Sequence, residues 1–250
     1  MLSMYNIWSV AVYEAKTLLR SWFFRIFAVL ALLFIGGWSV LAFSKAVPDI
    51  PWLFRALPSF IPYLNISWLN LVQAVLAIFL STEFLKRDKK MDTTEVIYMR
   101  SMTNGDYVFG KMLGIMMVFI GLNILLLLVA GVINGVFSDR PVIWFAYLFY
   151  PLMLSLPTLM FTFGLAFLLM LLVRNQAVTF VLLLGYAALV LIYLRDNYYG
   201  LFDYLGFYQP LALSAYVGLP NLSLVVLQRL LYVLLGVASM FGTILLLPRL

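Results

Sequence analysis

The chain contains one long polar segment, residues 83–114 (EFLKRDKKMDTTEVIYMRSMTNGDYVFGKMLG), with apolar runs on both sides that are long enough to cross a bilayer. That layout leaves few folds open. A run of roughly 20 apolar residues crosses hydrocarbon as a helix, because an isolated segment there must close its own backbone hydrogen bonds. The polar segment carries Lys86, Arg87, Lys89, Lys90, Arg100 and Lys111 against Glu83, Asp88, Asp92, Glu95 and Asp106. It therefore reads as a loop between two spans, on the side of the membrane where Lys and Arg collect.

Composition agrees: 65% of the residues are hydrophobic and 10% charged, far outside the range of soluble domains. The net charge of +6 is spread along a membrane pattern and forms no stripe for nucleic acid, so it reads as topology and contact with anionic lipid. The chain has no Cys and no His. That removes disulfides, thiolate nucleophiles, Cys/His zinc sites and His-based triads. A phosphate-cradling G-x-x-x-x-G-K-[ST] loop is also missing, so any nucleotide hydrolysis belongs to another chain.

Read in order, residues 5–20 place Trp8, Val12, Ala15 and Leu19 on one helical face and Ser9, Tyr13, Lys16 and Arg20 on the opposite one. This is the pattern of an amphipathic helix in the membrane interface, and the apolar run after it is too long for a signal peptide. A first span is expected from about Trp22 to Ser44, with Arg25 snorkelling at its inner end. Lys45 to Leu64 holds Pro48, Pro51, Pro58 and Pro62 and reads as an outside loop. Span two covers about Asn65 to Phe84, and span three about Tyr107 to Ile133, with Gly131 to Arg140 returning outside. Pro141 to Val173 is too long for one straight crossing; Pro151 and Pro157 predict an interfacial first part, a kink, and span four from about Leu154. A short Arg174-Asn175-Gln176 turn leads into span five, which ends near Leu194.

Residues 195–221 are too apolar for a free loop and too broken by Gly200, Gly206, Pro210, Gly218 and Pro220 for a span. A pair of short re-entrant helices in the outer leaflet is expected, with backbone at that depth buried in protein or lining a cavity. Span six runs from about Leu222 to Leu247, and Pro248-Arg249-Leu250 end the sequence, which fits a complete chain or the membrane part of a longer one. The expected fold is thus all-α and polytopic, a single transmembrane domain of six helices with both termini inside. The polar residues Asn70, Gln73, Ser81 and Asn123 within spans need protein partners, and Asn70, Gln73 and Asn123 read as interhelical contacts or pathway groups. Arg229 is the one charge well inside a span; it is either a substrate or gating contact, or a side chain that snorkels outward or pairs with Asp196 or Asp203.

Within the polar loop, residues 85–107, Met91 to Met102 reads as a short helix with Asp92 or Thr93 as N-cap and Glu95 in its first turn. Ser101 to Asp106 reads as a turn with its corner at Asn104-Gly105. The succession Glu83, Arg87-Asp88, Thr94-Glu95, Arg100-Ser101-Met102-Thr103, Tyr107 and Gly110-Lys111 resembles the permease subunits of ABC type-2 exporters, with Met102 standing where a Pro is common. The N-terminal helix and the element between the last two spans fit the same resemblance. It implies that this loop is a coupling helix seated in a cytoplasmic ATPase, with contacts from Asp92, Thr94, Glu95, Val96, Ile97, Tyr98, Met99 and Arg100. It further implies a second permease half, ATP and Mg bound by the partner ATPase, no cofactor or catalytic site on this chain, and a location in a bacterial inner membrane. The apolar, aromatic composition suits a lipid-like or amphiphilic cargo.

Three other readings compete with that one. The loop can be an ordinary solvated connector. A membrane enzyme finds no paired intramembrane carboxylates and no mid-span Lys beside a Ser. A non-transporting scaffold or signal-relay subunit coupled to an ATPase keeps every feature named above. Because the chain has no native Cys, sidedness is directly testable: single cysteines introduced at Lys90 or Asn104 are expected to react with an impermeant thiol reagent from the inside only. Labelling from the outside would overturn the topology.

Overall fold

Helices are the only regular structure among the described residues, as an apolar chain in lipid requires. The computed structural model describes residues 3–43, 60–82, 102–137, 142–194, 200–209, 213, 219 and 221–247. The helices are α1 (Met4–Arg20), α2 (Trp22–Phe43), α3 (Phe60–Thr82), α4 (Asn104–Phe137), α5 (Trp144–Tyr150), α6 (Leu156–Val173), α7 (Gln176–Ile192) and α8 (Leu222–Leu246). A π-helical turn at Pro151–Ser155 joins α5 to α6 in one helical run. Among the described residues, 5 helices are long and apolar enough to cross a membrane: α2, α3, α4, the α5–α6 run and α8. The protein is a membrane protein. At 17 residues, α7 is apolar but about 25 Å long, a little short of the roughly 30 Å hydrocarbon core.

The helices alternate in direction. Phe24 meets Phe119 at 5.7 Å, and Ala42 clusters with Ile133, so α2 runs the same way as α4. Tyr63 lies 5.5 Å from Tyr150 and Ile78 packs with Ala166, so α3 runs with α5 and α6 and against α4. Phe79 meets Phe180 while Ala74 clusters with Val190, which sets α7 against α3. Finally α8 descends beside α6 until Asn104 Nδ2 donates to the Leu247 carbonyl at 2.8 Å. One end of the bundle therefore gathers the end of α3, the start of α4, the α6–α7 turn and the end of α8. Arg174, in the left-handed region at φ 55°, and Asn175, whose Oδ1 accepts from Ala177 and Val178 N–H, make that turn.

Between apolar helices in lipid, association depends on close packing more than on hydrophobicity, so glycines mark the tight seams. A Cβ on Gly236 would sit 2.7 Å from the Met160 carbonyl oxygen, and one on Gly164 would collide with the Gly236 carbonyl, so α6 and α8 touch backbone to backbone. The Gly110-x-x-x-Gly114 pair on α4 does the same for α1: a Cβ on Gly110 would lie 2.8 Å from the Ile7 carbonyl, and one on Gly114 would strike that of Ala11.

Several boundaries differ from expectation, each for a local reason. The helix α3 starts at Phe60, not Asn65, because Pro62 falls in the first turn, where its missing N–H is no loss. Asn104-Gly105 is not a corner but the first turn of α4. Thr103 Oγ1 accepts from the Asp106 N–H, and Asp106 Oδ2 accepts from the Thr103 N–H, a reciprocal cap that starts the helix three residues before Tyr107. The same helix continues past Ile133 to Phe137, 34 residues or about 51 Å in all. The α5–α6 run is continuous from Trp144, so no break separates an interfacial part from the span; the π turn absorbs Pro151 instead.

Helix α1 forms as expected, but its packing face is a third one. Trp8 and Leu19 remain 58% and 52% exposed, while Ala11, Glu14 and Leu18 are buried against α4. The expected coupling helix at Met91 to Met102 lies outside the described residues apart from Met102 itself.

The seams give a direct test. Gly164→Val or Gly236→Val is expected to destabilise the detergent-solubilised protein by about 1–3 kcal/mol, the usual cost of overpacking. Gly121→Ala and Gly185→Ala, with no atom within 4 Å of the added methyl, are expected to leave the melting temperature unchanged.

Candidate functional site

Residues 200–209 enter the bundle as a series of turns, not as a helix. Asp203, Tyr204, Leu205 and Gly206 are buried, so their carbonyls and N–H groups must find partners inside the protein. The N–H side is closed by the segment itself. Asp203 Oδ1 accepts from Gly206 at 2.9 Å and Phe207 at 3.2 Å, and Oδ2 accepts from Tyr208 at 2.9 Å.

The carbonyl side is closed by donors from three helices. On α8, Gln228 Nε2 donates to Gly200 and, at 3.2 Å, to Leu201; Tyr232 Oη donates to Leu201 at 2.7 Å. Arg229, the next residue, donates from Nη2 to Asp203 and from Nη1 to Tyr204, both at 2.9 Å. On α6, Thr158 Oγ1 donates to Tyr204 at 2.8 Å. On α3, Asn70 Nδ2 donates to Leu205 at 3.1 Å and Tyr63 Oη to Gln209 at 2.6 Å. Gly206, at φ +71°, lies against the guanidinium: a Cβ there would be 3.0 Å from Arg229 Nη2 and 2.8 Å from Leu154.

From Asn70 the polar contacts continue into the middle of the bundle. Gln73 Nε2 donates to Asn70 Oδ1 at 2.5 Å, and Asn123 Nδ2 donates to Gln73 Oε1 at 3.0 Å and to the Phe119 carbonyl at 2.8 Å. The Ser155 hydroxyl, at the end of the π turn, lies 2.7 Å from Asn70 Oδ1 and 3.2 Å from Asn123 Oδ1. Asn70, Gln73 and Asn123 are 0% exposed and Ser155 1%, so this is a sealed junction of α3, α4 and the π turn.

Of the polar residues singled out within the spans, Asn70, Gln73, Asn123 and Arg229 thus belong to one connected array, whereas Ser81 bonds the Ala77 carbonyl of its own helix. Arg229 corrects the expectation of snorkelling or carboxylate pairing. It is 2% exposed and spends its terminal nitrogens on main-chain carbonyls, while the Asp203 carboxylate turns to its own loop. Asp196 lies outside the described residues, as do Asp92, Thr94, Glu95, Val96, Ile97, Tyr98, Met99 and Arg100. Of the segment 195–221, expected to hold a pair of short helices, residues 200–209 are described and form the turn series held by side chains; 195–199, 210–212, 214–218 and 220 lie outside the described residues. Ser155 and Thr158 were not singled out from sequence, although Pro151 and Pro157 bracket Ser155 and mark the helix irregularity that aims it inward.

The tip of the segment sits in an aromatic cup. Tyr204 stacks on Tyr186 at 5.3 Å and 8°, with Phe161 at 5.2 Å and Tyr232 at 6.3 Å. Burial pushes the Tyr204 phenol up out of its ordinary range, so it stays neutral and adds no charge near Arg229. The array supplies amides, hydroxyls and one guanidinium, groups that hold and orient.

No family model and no curated protein matches this chain.

Arg229→Met, which keeps the length but removes the donors, is expected to cost about 1–3 kcal/mol by stripping the charged hydrogen bonds from the Asp203 and Tyr204 carbonyls. Hydrogen exchange at the Gly206, Phe207 and Tyr208 amides should accelerate with it. Exchange as slow as in the unsubstituted protein would mean that the guanidinium does not hold the segment.

Proposed function

We propose that this chain is a membrane-spanning permease subunit of an ATP-driven ABC exporter of the type-2 kind. Six helices cross the membrane, α7 among them, with both termini and the 83–103 segment on the cytoplasmic side of a bacterial inner membrane. Helix α1 is the interface helix, and residues 195–221 form the re-entrant element outside. Two such halves make the pathway. A separate ATPase, which holds ATP and Mg, drives it through the loop between α3 and α4; this chain itself carries no catalytic site.

The observation that supports this reading is the anchorage of the loop's exit. Asp106, at the base of α4, accepts the Ser3 N–H at 2.7 Å, and Asn104 holds the Leu247 carbonyl at 2.8 Å. A push on the loop at this point reaches α1, α4 and α8 together, which is the mechanical requirement for a coupling element. Charge agrees with the orientation. The described cations other than Arg229, namely Lys16, Arg20, Arg25, Lys111 and Arg174, belong to helices or turns at or toward that end of the bundle. A non-transporting relay subunit would dock an ATPase in the same way and is separated from an exporter by transport in reconstituted vesicles.

Replacing Ile97 and Tyr98 together by Asp removes the apolar anchor expected on the coupling helix. A short helix persists only where its apolar side is buried, and interface energy concentrates in a few such residues. The double variant is expected to insert and dimerise normally and to lose ATPase co-purification and stimulated hydrolysis. Survival of both would return the loop to a solvated connector.

A further inference from the structure

The corner where α1 turns into α2 shows charge of one sign on its surface. Residues 3–43 hold Lys16, Arg20 and Arg25, all exposed, and their one acid, Glu14, is 3% exposed and packs on Gly114 of α4. Among the described residues, none of these cations has a carboxylate partner. Lys16 and Arg20 stand one turn apart on the same side of α1, where like charges repel, and the dipole at the end of that helix offsets only about half a charge. Arg25 is drawn back onto the same turn: its Nε donates to the Leu19 carbonyl at 3.0 Å. That bond fixes the guanidinium beside residues 19 and 20 and leaves its two terminal nitrogens without an acceptor among the described residues.

The surface changes character immediately along α2. Trp22, 74% exposed, sits at the bend and is of the type that settles at headgroup depth. Val29, one turn on from Arg25 and on its side of the helix, is exposed, as are Ile26 and Leu33 around it. A cationic corner thus gives way to an apolar strip, and the occupant has to match both. A free phosphate or an acidic protein surface would answer the cations and leave the strip bare. An anionic phospholipid answers both, and a guanidinium suits its phosphate because the planar fork bonds two oxygens at once. We infer that the corner between α1 and α2 binds the headgroup of an anionic phospholipid, the phosphate on Arg25 with Arg20 and Lys16 beside it, and the acyl chains along the exposed side of α2. This is a placed site with a headgroup preference, unlike the diffuse attraction that any cationic loop has for a membrane. It requires only a membrane protein and does not depend on the exporter reading.

The test titrates the full chain, purified in a neutral detergent, with dioleoyl phosphatidylglycerol or dioleoyl phosphatidylcholine and counts bound lipid by native mass spectrometry. The anionic lipid is expected to bind about tenfold more tightly, and Arg25→Gln should cut that preference about fivefold, the usual effect of one cation near an anionic headgroup. Arg25→Lys keeps the charge but not the fork and should fall between the two. Arg20→Gln should act like Arg25→Gln without touching the Leu19 bond, so a fold weakened by the latter does not blur the result. Arg174→Gln, at the α6–α7 turn, should change nothing. Equal binding of the two lipids would leave the cations to an acidic protein partner and overturn the proposal. So would displacement of the lipid by excess glycerol phosphate, which marks a site for free phosphate, or an Arg174→Gln loss as large as that of Arg25→Gln, which marks diffuse charge. Full preference in Arg25→Lys would equally reduce the corner to a diffuse attraction.

Discussion

The structure depends on how a stretch of backbone that cannot be helical is kept out of reach of lipid. Residues 200–209 carry carbonyls that no helical ladder satisfies, and an unpaired carbonyl in hydrocarbon costs several kcal/mol. Tyr63, Asn70, Thr158, Gln228, Arg229 and Tyr232 are the answer, each a polar side chain on an otherwise apolar helix and each aimed at a main-chain oxygen. Their positions on α3, α6 and α8 are therefore set by the segment as much as by the helices that carry them. Arg229 illustrates the economy: one guanidinium serves two consecutive carbonyls, and Gly206 gives it the room.

The same array ties the outer segment to the bundle centre. Asn70 bonds Leu205 on one side and receives Gln73 and Ser155 on the other, so a displacement of 200–209 is felt at the junction of α3, α4 and the π turn. The π turn matters here because its wider spacing rotates Ser155 onto Asn70 while α5 and α6 remain one continuous helical run.

Much of this was legible in the sequence. Hydropathy located every long helix, since bilayer thickness fixes the length of apolar run that each needs. Asn70, Gln73, Asn123 and Arg229 stood out because polar groups in such runs demand partners. Which partners they take was not legible, because the segment that supplies most of them is distant in sequence and irregular in backbone. Ser155 and Thr158 escaped notice because hydroxyls in apolar helices often bond only the preceding turn, as Ser67 and Ser81 do here. Helix α1 misled in another way. Trp8 and Leu19 of its expected apolar face are exposed, and the face packed on α4 combines Val10, Ala11 and Leu18 with Glu14, whose charge interrupts the apolar pattern. The starts of α3 and α4 were misplaced because Pro62 and Asn104-Gly105 carry turn chemistry that a first helical turn also accepts.

The bond from Ser3 to Asp106 joins residues 103 positions apart, and the seam behind it pairs α1 with a helix synthesised much later. At ribosomal rates of about 5–20 residues per second, α1 waits roughly 5–20 s before Gly110 and Gly114 exist for it to pack on. Throughout that interval the buried side of α1, Glu14 included, is without its final neighbour, and the helix has to be sheltered by headgroups or by the insertion machinery. Birth order thus means that the seam of α1 can close only once α4 has been made.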